Sequence, residues 1–337
     1  MGLRQQVGDQ VRSKGLVVVI TGASSGIGRA TALRFAKNRA RLVLAARSTK
    51  ALETVAEECR KRGAQAIAVP TDVTDPEAVQ ALAARAVHEF GRLDVWVNNA
   101  AISVFGRITD VPLRDFQRVL DVNVSGYVHG ARAALPYLRK QGSGVLVNVS
   151  SIVGEIAQPY TAAYSMSKAA VRALGVSIRS ELRLDGVTGV KVCTVMPATM
   201  DTPFFQHAAN YTGRRVVAMP PLYTAERTAR TIVKAARKPR RETVVGPGGR
   251  MLALQHKITP GAVEATMAVQ VDKTHLSRRY DAQDSSGNLY QPSEEGRKGS
   301  VKGGWGGRRR TAQRRALTAL LLGGGVALVG RAVRSGP

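Results

Sequence analysis

The fold is decided by one stretch near the start of the chain, Leu16-Val17-Val18-Val19-Ile20-Thr21-Gly22-Ala23-Ser24-Ser25-Gly26-Ile27-Gly28. Its first five residues are apolar and mostly β-branched, which predicts a buried strand. The glycine-rich turn that follows leads into a helical stretch from Arg29 to Asn38. Glycines let a backbone approach a pyrophosphate closely, and the N-terminus of a helix attracts its charge. The stretch therefore predicts a dinucleotide-binding loop, with an ordinary glycine-rich turn as the alternative.

The alternation of strand and helix then continues along the chain. Further apolar strands are predicted at residues 42–46, 66–69, 93–97, 145–149, 190–195 and 243–245. Buried strands separated by helices predict a doubly wound parallel sheet, in a three-layer α/β/α arrangement of the Rossmann type. We expect one such catalytic domain over residues 15–273, preceded by an N-terminal extension, residues 1–14. Ligands of these sheets lie outside the carboxyl ends of the strands.

The end of the second strand bears on the choice of dinucleotide. An acidic residue there would bind the ribose 2′-hydroxyl of NAD, whereas an arginine would pair with the 2′-phosphate of NADP. Ala46-Arg47-Ser48 offers one guanidinium and no acid. This favours NADP over NAD, unless Arg47 is only a solvated loop residue. Asp72 ends the third strand, where it would either meet the adenine or serve as a turn and capping residue.

Tyr164 and Lys168 are the strongest candidates for acid–base chemistry. Residues four apart on a helix share one face, so the phenol oxygen and the ammonium can meet in one cleft. An ammonium there would lower the pKa of the tyrosine, which could then exchange a proton with an alcohol or carbonyl. Taken alone, the spacing is more often that of two neighbours on a solvated helix. Ser151 follows the fifth strand, and a helix start can bring its hydroxyl beside the phenol.

With these motifs in place, the sequence resembles the short-chain dehydrogenase/reductase family, from about Leu16 to about Gly246. Thr21-Gly22-x-x-x-Gly26-x-Gly28 is similar to the cofactor loop of that family. Asn98-Asn99-Ala100-Ala101 is similar to its Asn-Asn-Ala-Gly, with alanine in the last place. The motifs and the resemblance together predict cofactor contacts from Gly22, Ser24, Ser25, Gly26, Ile27, Gly28, Arg47, Asp72, Val73, Asn99, Tyr164, Lys168, Pro197, Thr199 and Thr202.

The resemblance also implies catalytic roles for four residues. Tyr164 would be the general acid/base, and Lys168 would lower its pKa and hold the nicotinamide ribose. Ser151 would bind the substrate oxygen, and Asn123 would position a water toward Lys168. From the residues alone, Asn123 could equally be a satisfied amide in the core. Hydride would pass between the nicotinamide and a carbonyl or secondary alcohol, and no metal is expected.

Two features follow the sixth strand, one near the cofactor and one near the substrate. The family usually has Pro-Gly there, whereas this chain has Pro197-Ala198, which leaves the local backbone near the nicotinamide amide in question. The following segment, residues 199–223, is rich in apolar and aromatic residues and is expected to form a substrate lid. An apolar lid favours a hydrophobic substrate, although its residues could also only pack on the core.

The overall composition narrows the classes of function. The formal net charge is +26, which suits an anionic cofactor, membrane surface or nucleic acid. No nucleic-acid motif accompanies the charge, which argues against nucleic acid. The only two cysteines, Cys59 and Cys193, form no disulfide or metal pattern and favour a reducing compartment, the cytoplasm. Long helical stretches at 113–139 and 162–185 resemble the dimerisation helices of the family, so we expect a homo-oligomer.

The C-terminal part of the chain changes in composition. Residues 274–315 are rich in polar, charged and glycine residues and predict a disordered basic linker. Residues 316–337 contain an uncharged apolar run flanked by arginines. The run is short for a membrane span, yet basic flanks suit an anionic leaflet, so membrane association and a soluble tail remain equal alternatives. A non-catalytic binding or scaffold protein, attached to membrane or nucleic acid by this tail, is the competing hypothesis for function.

Overall fold

The computed structural model describes residues 15–293 and 299–306. A sheet of seven parallel strands forms its centre, and all seven follow the apolar runs of the sequence. In chain order the strands are β1 (Val17–Thr21), β2 (Arg41–Ala46), β3 (Gln65–Pro70), β4 (Val95–Asn98), β5 (Gly144–Val149), β6 (Val190–Pro197) and β7 (Glu242–Val245). Their spatial order is β7-β6-β5-β4-β1-β2-β3. The chain reverses direction across the sheet between β1 and β4, which opens a crevice at their carboxyl ends.

Helices cover both faces of this sheet, as the buried strands require. The helices are α1 (Gly26–Ala36), α2 (Thr49–Lys61), α3 (Pro76–Phe90), α4 (Leu113–Leu120), α5 (Gly126–Gln141), α6 (Ala162–Leu184), α7 (Phe204–His207), α8 (Ala225–Arg237), α9 (Pro247–Ile258) and α10 (Pro260–Thr274). One core lies between the sheet and α1, α2 and α8, and contains Phe35, Leu52 and Ile232. The other lies between the sheet and α3, α5 and α6, and contains Leu82 and Leu138. The predicted doubly wound three-layer fold is confirmed.

Short strands build a small outer layer over the carboxyl edge of the sheet. Val104–Phe105 pairs with Ala209–Asn210, and Met200–Asp201 pairs with Tyr223–Thr224. A third pair is antiparallel and joins Arg214–Val216 to Leu276–Asp281. These pairs, together with α7, α9 and α10, enclose the crevice on the side away from the sheet.

The helix expected over residues 113–139 differs from its prediction. It is interrupted between α4 and α5 by a π-helical turn, Asp121–Ser125, that contains Asn123. A π-turn adds one residue to the helical repeat, and such turns are frequent at functional sites because they re-aim a side chain. The helical periodicity of the sequence does not reveal it.

The expectation of a disordered linker over residues 274–315 also differs from the structure where that range is described. Helix α10 ends at Thr274, the strand Leu276–Asp281 follows, and residues 282–293 and 299–306 pack against the domain. Leu289 is fully buried and Trp305 is 8% exposed. Composition predicted disorder because the segment is polar, but a few buried anchors and many backbone hydrogen bonds suffice to order it.

Several predictions fall outside the described residues. The N-terminal extension (1–14), the rest of the linker and the apolar tail (316–337) belong to this group. Among the described helices, none is both long and apolar enough to cross a membrane. Both cysteines are buried and free.

Candidate active site

The turn between β1 and α1 has a backbone that only glycine permits at two places. Gly22 has a φ of +65°, and a Cβ on it would stand 2.7 Å from the Cα of Ala100. A Cβ on Gly28 would stand 2.1 Å from the Gly22 carbonyl oxygen. The first turn of α1 is thereby pressed against the end of β1. The N-terminus of α1 faces the crevice in the manner that binds a pyrophosphate.

Asn99 and Thr21 lock this turn to the neighbouring strand. The Asn99 Nδ2 donates to the carbonyl oxygens of Thr21 (2.9 Å) and Gly22 (3.2 Å). The Thr21 Oγ1 accepts from the backbone N–H groups of Asn99 (3.0 Å) and Ala100 (3.2 Å). Asn99 therefore acts on the shape of the loop, whereas Asn98 lies behind it and bonds to the core through Trp96 and Asn148.

The edge of the crevice at the carboxyl ends of β2 and β3, where the adenosine is expected, is basic. Arg47 directly follows β2 and lines the crevice, as does Asp72 beyond β3. The Asp72 carboxylate accepts from Thr74 and from Arg118 Nη2 at 2.9 Å. Burial raises the pKa of Asp72, but the hydrogen bonds from Thr74 and Arg118 outweigh it and leave the pKa below its ordinary value. Asp72 is thus held as an anion within its own turn, while the Arg47 cation stands at the strand end.

One cavity of about 380 Å³ runs from this edge to the tyrosine. It is lined by most of the residues that the sequence predicts for the site: Gly22, Ser24, Ser25, Gly26, Ile27, Arg47, Asp72, Val73, Asn99, Ser151, Tyr164, Lys168, Pro197, Thr199 and Thr202. Gly28 and Asn123 are not among the lining residues. The glycine cradle, the helix N-terminus and the guanidinium fit an elongated anionic dinucleotide.

Among the lysines that the structure describes, Lys168 alone is buried, at 1% exposure. Its Nζ donates to the carbonyl oxygen of Val149 (3.0 Å) and to the hydroxyl of Tyr127 (3.2 Å). The same Nζ stands 5.5 Å from the centre of the Tyr164 ring. Burial lowers the pKa of Lys168 to about 7, because the charged form loses its hydration. The two oxygen partners hold the amine on the face of α6 that it shares with Tyr164.

The pKa of Tyr164 differs in direction from the sequence-based expectation. Burial raises it to about 12, because a phenolate is poorly solvated in the cavity. A hydrogen bond with the Ser151 hydroxyl lowers it, but by less. Lys168 does not lower the pKa of Tyr164 in this structure, because its amine, with a pKa of about 7, is already uncharged at the pH at which the phenol would ionise. At neutral pH the phenol therefore carries its proton.

Two adjacent serines follow β5, and their hydroxyl groups have different hydrogen-bond partners. The Ser151 hydroxyl faces the cavity beside Tyr164 and accepts from the Val153 N–H at 3.4 Å. The Ser150 hydroxyl donates to the carbonyl oxygen of Lys168 at 2.7 Å and fastens α6 to the end of β5. Sequence analysis identified Ser151 but did not identify the anchoring role of its neighbour.

Asn123 is fully buried, and its amide is satisfied on both sides. Its Oδ1 accepts from the Ile102 N–H (2.9 Å), and its Nδ2 donates to the Ile102 carbonyl oxygen (2.9 Å) and to Ser167 Oγ (3.0 Å). The amide thereby ties the π-turn to the loop after β4 and to α6. These contacts correspond to the core-amide alternative for the side chain, and the water-positioning role stays a prediction.

The end of the cavity beyond Tyr164 is apolar and aromatic. The Phe204 ring lies 5.3 Å from the Tyr164 ring, and Phe205 packs edge-on against Phe204 and His275. His275 is buried, which lowers its pKa to about 4, and its Nδ1 donates to the Val217 carbonyl oxygen. A neutral imidazole and a set of phenyl rings form this wall. Of the predicted lid, Phe204, Phe205, Met219, Pro220 and Pro221 line the cavity.

Sequence reasoning missed Tyr127 and the C-terminal residues at the site. Tyr127 lies four residues after Asn123, but the π-turn breaks the α-helical repeat between them, so the spacing alone does not place the two side chains together. Asn288, Pro292 and Ser293 also line the cavity. No motif marks them, and the polar composition around them favoured a linker. Within the described residues, no group of three or more His, Cys, Asp or Glu side chains is placed to hold a metal ion.

Comparison with known proteins identifies the family to which the chain belongs. A family model described as short chain dehydrogenase matches residues 16–212. The oxidoreductase YxnA of Bacillus subtilis is 35% identical over 276 residues, which cover 81% of this chain and 77% of that protein. The oxidoreductase SadH of Mycobacterium tuberculosis is 34% identical over 271 residues, which cover 77% of this chain and 96% of that protein.

Two solved structures extend the similarity to three dimensions. A short chain dehydrogenase/reductase from Burkholderia phymatum, in complex with NAD, has 27% identity and a TM-score of 0.66, covering 74% of this chain and 96% of its own. A short-chain dehydrogenase from Streptomyces avermitilis has 28% identity and a TM-score of 0.63, covering 74% and 94%. With its cofactor crevice and its Ser-Tyr-Lys constellation, the chain is a nicotinamide-dependent oxidoreductase and belongs to the short-chain dehydrogenase/reductase family.

Proposed function

We propose that this oxidoreductase transfers hydride between NADP(H) and a hydrophobic carbonyl compound or secondary alcohol. The observation that carries the proposal is the single cavity shared by the glycine loop, Arg47, Ser151, Tyr164 and Lys168. The dinucleotide supplies the hydride, and the protein supplies orientation, proton transfer and exclusion of water.

Tyr164 is the proton donor to the substrate oxygen in the direction of reduction. Its raised pKa keeps the phenol protonated at neutral pH, which suits an acid. The Ser151 hydroxyl, which bonds to the same phenol, donates to the substrate oxygen and holds it beside the proton. In the direction of oxidation Tyr164 first loses its own proton to solvent. Its phenolate, stabilised by the Lys168 ammonium, then takes the proton of the alcohol that Ser151 holds.

Lys168 supports this step from the buried side of Tyr164. As an ammonium it stabilises the phenolate that remains after proton transfer and donates to a nicotinamide ribose hydroxyl. Its anchors, the Val149 carbonyl and the Tyr127 hydroxyl, place the amine but carry no charge of their own at neutral pH. The anionic phosphates of a bound dinucleotide would favour the charged amine. Asn123 then either fixes the loop at Ile102 by hydrogen bonds or positions a water molecule toward Lys168.

NADP is the proposed cofactor because of the charge at the adenosine edge. Arg47 is a cation at the end of β2, and Arg118 adds a second guanidinium beside it. The one nearby acid, Asp72, is engaged by Arg118 and Thr74 and would not select a free ribose hydroxyl. A 2′-phosphate would meet net positive charge there.

A hydrophobic substrate is proposed from the wall beyond Tyr164. That wall presents apolar side chains, including Ile102, Phe105, Ile156, Phe204, Phe205 and Leu252. The cavity also has uncharged polar residues, Ser103, Gln158, Thr161, Gln255 and Gln270, but none of these carries a charge that would pair with a charged substrate. Burial of apolar surface contributes about 25 cal/mol per Å², so a bulky carbonyl compound gains most from this wall.

We further propose a homo-oligomer, formed through the helices at 113–139 and 162–185. Leu113, Met166 and Val176 on these helices are exposed, at 80%, 54% and 43%, which suits an interface. Sedimentation velocity measures the assembly directly, and a monomer at micromolar concentration contradicts it. The reducing compartment expected from the two free cysteines is the cytoplasm.

The tail, residues 316–337, is proposed to bind an anionic membrane surface through its apolar run and flanking arginines. Flotation with anionic liposomes should carry the full chain to the top of a gradient. A chain that ends at Gly306 should stay below, because it retains the domain and lacks the tail. Equal flotation of the two, or none by either, contradicts the proposal.

Replacing Tyr164 by phenylalanine tests the reaction. Phenylalanine keeps the ring but removes the proton, so we expect kcat for hydrophobic ketones with NADPH to fall by about 10²- to 10⁴-fold. Nucleotide affinity should change little. Absorbance of NADPH measures turnover across a panel of ketones and alcohols, with Tyr160→Phe as a control for loss of a nearby phenol. If the wild type turns over no substrate and binds no nucleotide, the scaffold hypothesis replaces this one.

Replacing Arg47 by aspartate tests the choice of cofactor. An acid would repel the 2′-phosphate and bind the 2′-hydroxyl, so the ratio of kcat/KM for NADPH to that for NADH should fall by about tenfold or more. Lys50→Asp makes the same change of charge on the exposed helix α2 and should alter the ratio much less. An unchanged ratio in Arg47→Asp shows that the guanidinium does not select the cofactor.

Replacing Lys168 by methionine tests the buried amine through stability. With a folded pKa of about 7 and an ordinary value of 10.5, the unfolded chain holds a proton that the folded chain lacks between pH 7 and 10. Lys168 therefore makes the stability of the nucleotide-free wild type rise with pH in this window. Below pH 7 the protein bears the full cost of burying the charged amine. Methionine carries no proton, so Lys168→Met should gain about 3 °C or more in Tm relative to wild type at pH 7. The gain should shrink at pH 9.5, and a difference in Tm that is independent of pH contradicts the shifted pKa.

A further inference from the structure

The chain returns to the cofactor crevice after the strand Leu276–Asp281. We call residues 282–293 and 299–306 together the C-terminal strap. Its first part is anchored by Leu289, which is fully buried, and by the Tyr290 hydroxyl, which donates to the buried Asp115 at 2.8 Å. Its last part is anchored at Trp305, whose Nε1 donates to the Thr202 carbonyl oxygen at 3.1 Å. The anchors lie on opposite sides of the crevice.

At the adenosine edge, the strap takes its hydrogen bonds from Arg47. The Nη1 and Nη2 of Arg47 donate to the carbonyl oxygens of Leu289 (3.0 Å) and Asn288 (2.7 Å). Arg118 donates to the same Leu289 oxygen at 3.1 Å. The strap backbone thereby sets the position of Arg47, which lines the cavity, and of Arg118, which is bonded to Asp72.

At the glycine loop, the strap touches the backbone that would face the pyrophosphate. The Gly26 N–H donates to the Ser300 carbonyl oxygen at 2.7 Å, and Arg29 Nη1 donates to the Gly299 carbonyl oxygen at 2.6 Å. A Cβ on Gly299 would stand 2.7 Å from the Ser24 carbonyl oxygen, and φ there is +56°. Only glycine allows the two backbones to approach this closely.

Beyond the loop, one carboxylate holds the end of the strap. The Asp201 carboxylate accepts from the N–H groups of Gly303 (3.2 Å), Trp305 (2.9 Å) and Gly306 (3.1 Å). Asp201 lies directly before Thr202, in the segment expected to contact the nicotinamide end. The strap is therefore fixed at three places along the length of the crevice.

The strap forms part of the wall of the cavity. Asn288, Pro292 and Ser293 line the same cavity as Arg47 and the glycine loop. The Oδ1 of Asn288 is buried and has no hydrogen-bond partner in the described part of the chain. An unsatisfied buried acceptor costs about 1–3 kcal/mol, so its presence at a cavity wall points to a donor that arrives with a ligand.

We propose that the C-terminal strap is the outer wall of the cofactor site and retains the bound dinucleotide. Asn288 Oδ1 accepts a hydrogen bond from a hydroxyl or amino group of the adenosine half, and the strap slows dissociation because its contacts with Gly26 and Arg47 must open first. The proposal rests on the proposed dinucleotide function of the same cavity.

The strap can be separated from the glycine loop by one added methyl group. In Gly299→Ala the methyl would meet Ser24, whereas Gly186, outside the strap, has a similar φ of +68° and nothing within 4 Å of an added Cβ. Gly186→Ala is therefore a control with similar backbone strain and no clash. We expect the dissociation rate of NADPH, followed by stopped-flow fluorescence, to rise about tenfold in Gly299→Ala and to stay within twofold of wild type in Gly186→Ala.

Other results would contradict the proposal. A rate in Gly299→Ala that equals the control overturns the proposal, and so does tighter binding of NADPH, because the strap would then compete with the nucleotide. If the wild type binds neither NADPH nor NADH, the proposed dinucleotide function fails together with the strap. Binding by the wild type with no response to Gly299→Ala leaves the function intact and removes only the strap.

Two further measurements do not depend on the folding of that variant. Hydrogen exchange on the wild-type full chain should slow at the amides of residues 285–293 and 299–306 when NADPH is added, and faster or unchanged exchange overturns the proposal. Asn288→Ala should weaken NADPH binding about fivefold without lowering the Tm of the nucleotide-free protein, since it removes an unsatisfied acceptor. A lower Tm with unchanged affinity assigns Asn288 a structural role only.

Discussion

The whole carboxyl edge of the sheet depends on the close contact between Gly28 and the Gly22 carbonyl. No side chain fits there, so α1 can begin directly at the end of β1 with its N–H groups turned toward the crevice. Asn99 and Thr21 then join this turn to β4 by four hydrogen bonds. The loop that would hold the pyrophosphate is thus part of the sheet rather than an independent segment. Its position fixes where every other group of the site must lie.

A second constraint is the burial of an amine. Lys168 is buried beside Tyr164 and must satisfy its donors within the protein, and the Val149 carbonyl and the Tyr127 hydroxyl provide for this. Ser150 bonds the backbone of Lys168 to the end of β5, and Asn123 bonds the π-turn to α6 through Ser167. Tyr164 and Lys168, the proposed catalytic pair, are therefore held by groups from three other elements. Burial also explains why the pKa of Tyr164 is high in the free protein, and why the charge state of Lys168 is sensitive to what occupies the crevice.

The C-terminal strap changes the account of cofactor recognition. In the sequence, Arg47 is a cation at a strand end that would meet a phosphate. In the fold, its donors hold two carbonyl oxygens of the strap, so the guanidinium is positioned by a segment more than two hundred residues away. The strap and the strand end together form the adenosine edge, and a cation fixed in this way can still attract a 2′-phosphate by charge.

The sequence by itself determined the fold class and predicted most of the site residues that the structure brings together in one cavity. Apolar runs at regular spacing predict seven strands, because buried parallel strands have to be apolar along their whole length. The glycine loop, Ser151, Tyr164 and Lys168 are recognisable because their chemistry needs those residue types in that order. Only the tertiary structure decided the rest, which depends on contacts between residues far apart in the chain. The π-turn at Asn123, the anchoring by Tyr127 and the direction of the Tyr164 pKa follow from packing and burial, which periodicity does not record. The ordered structure of the strap could not be predicted for the same reason, because contacts with the surface of the domain order this polar, glycine-rich segment.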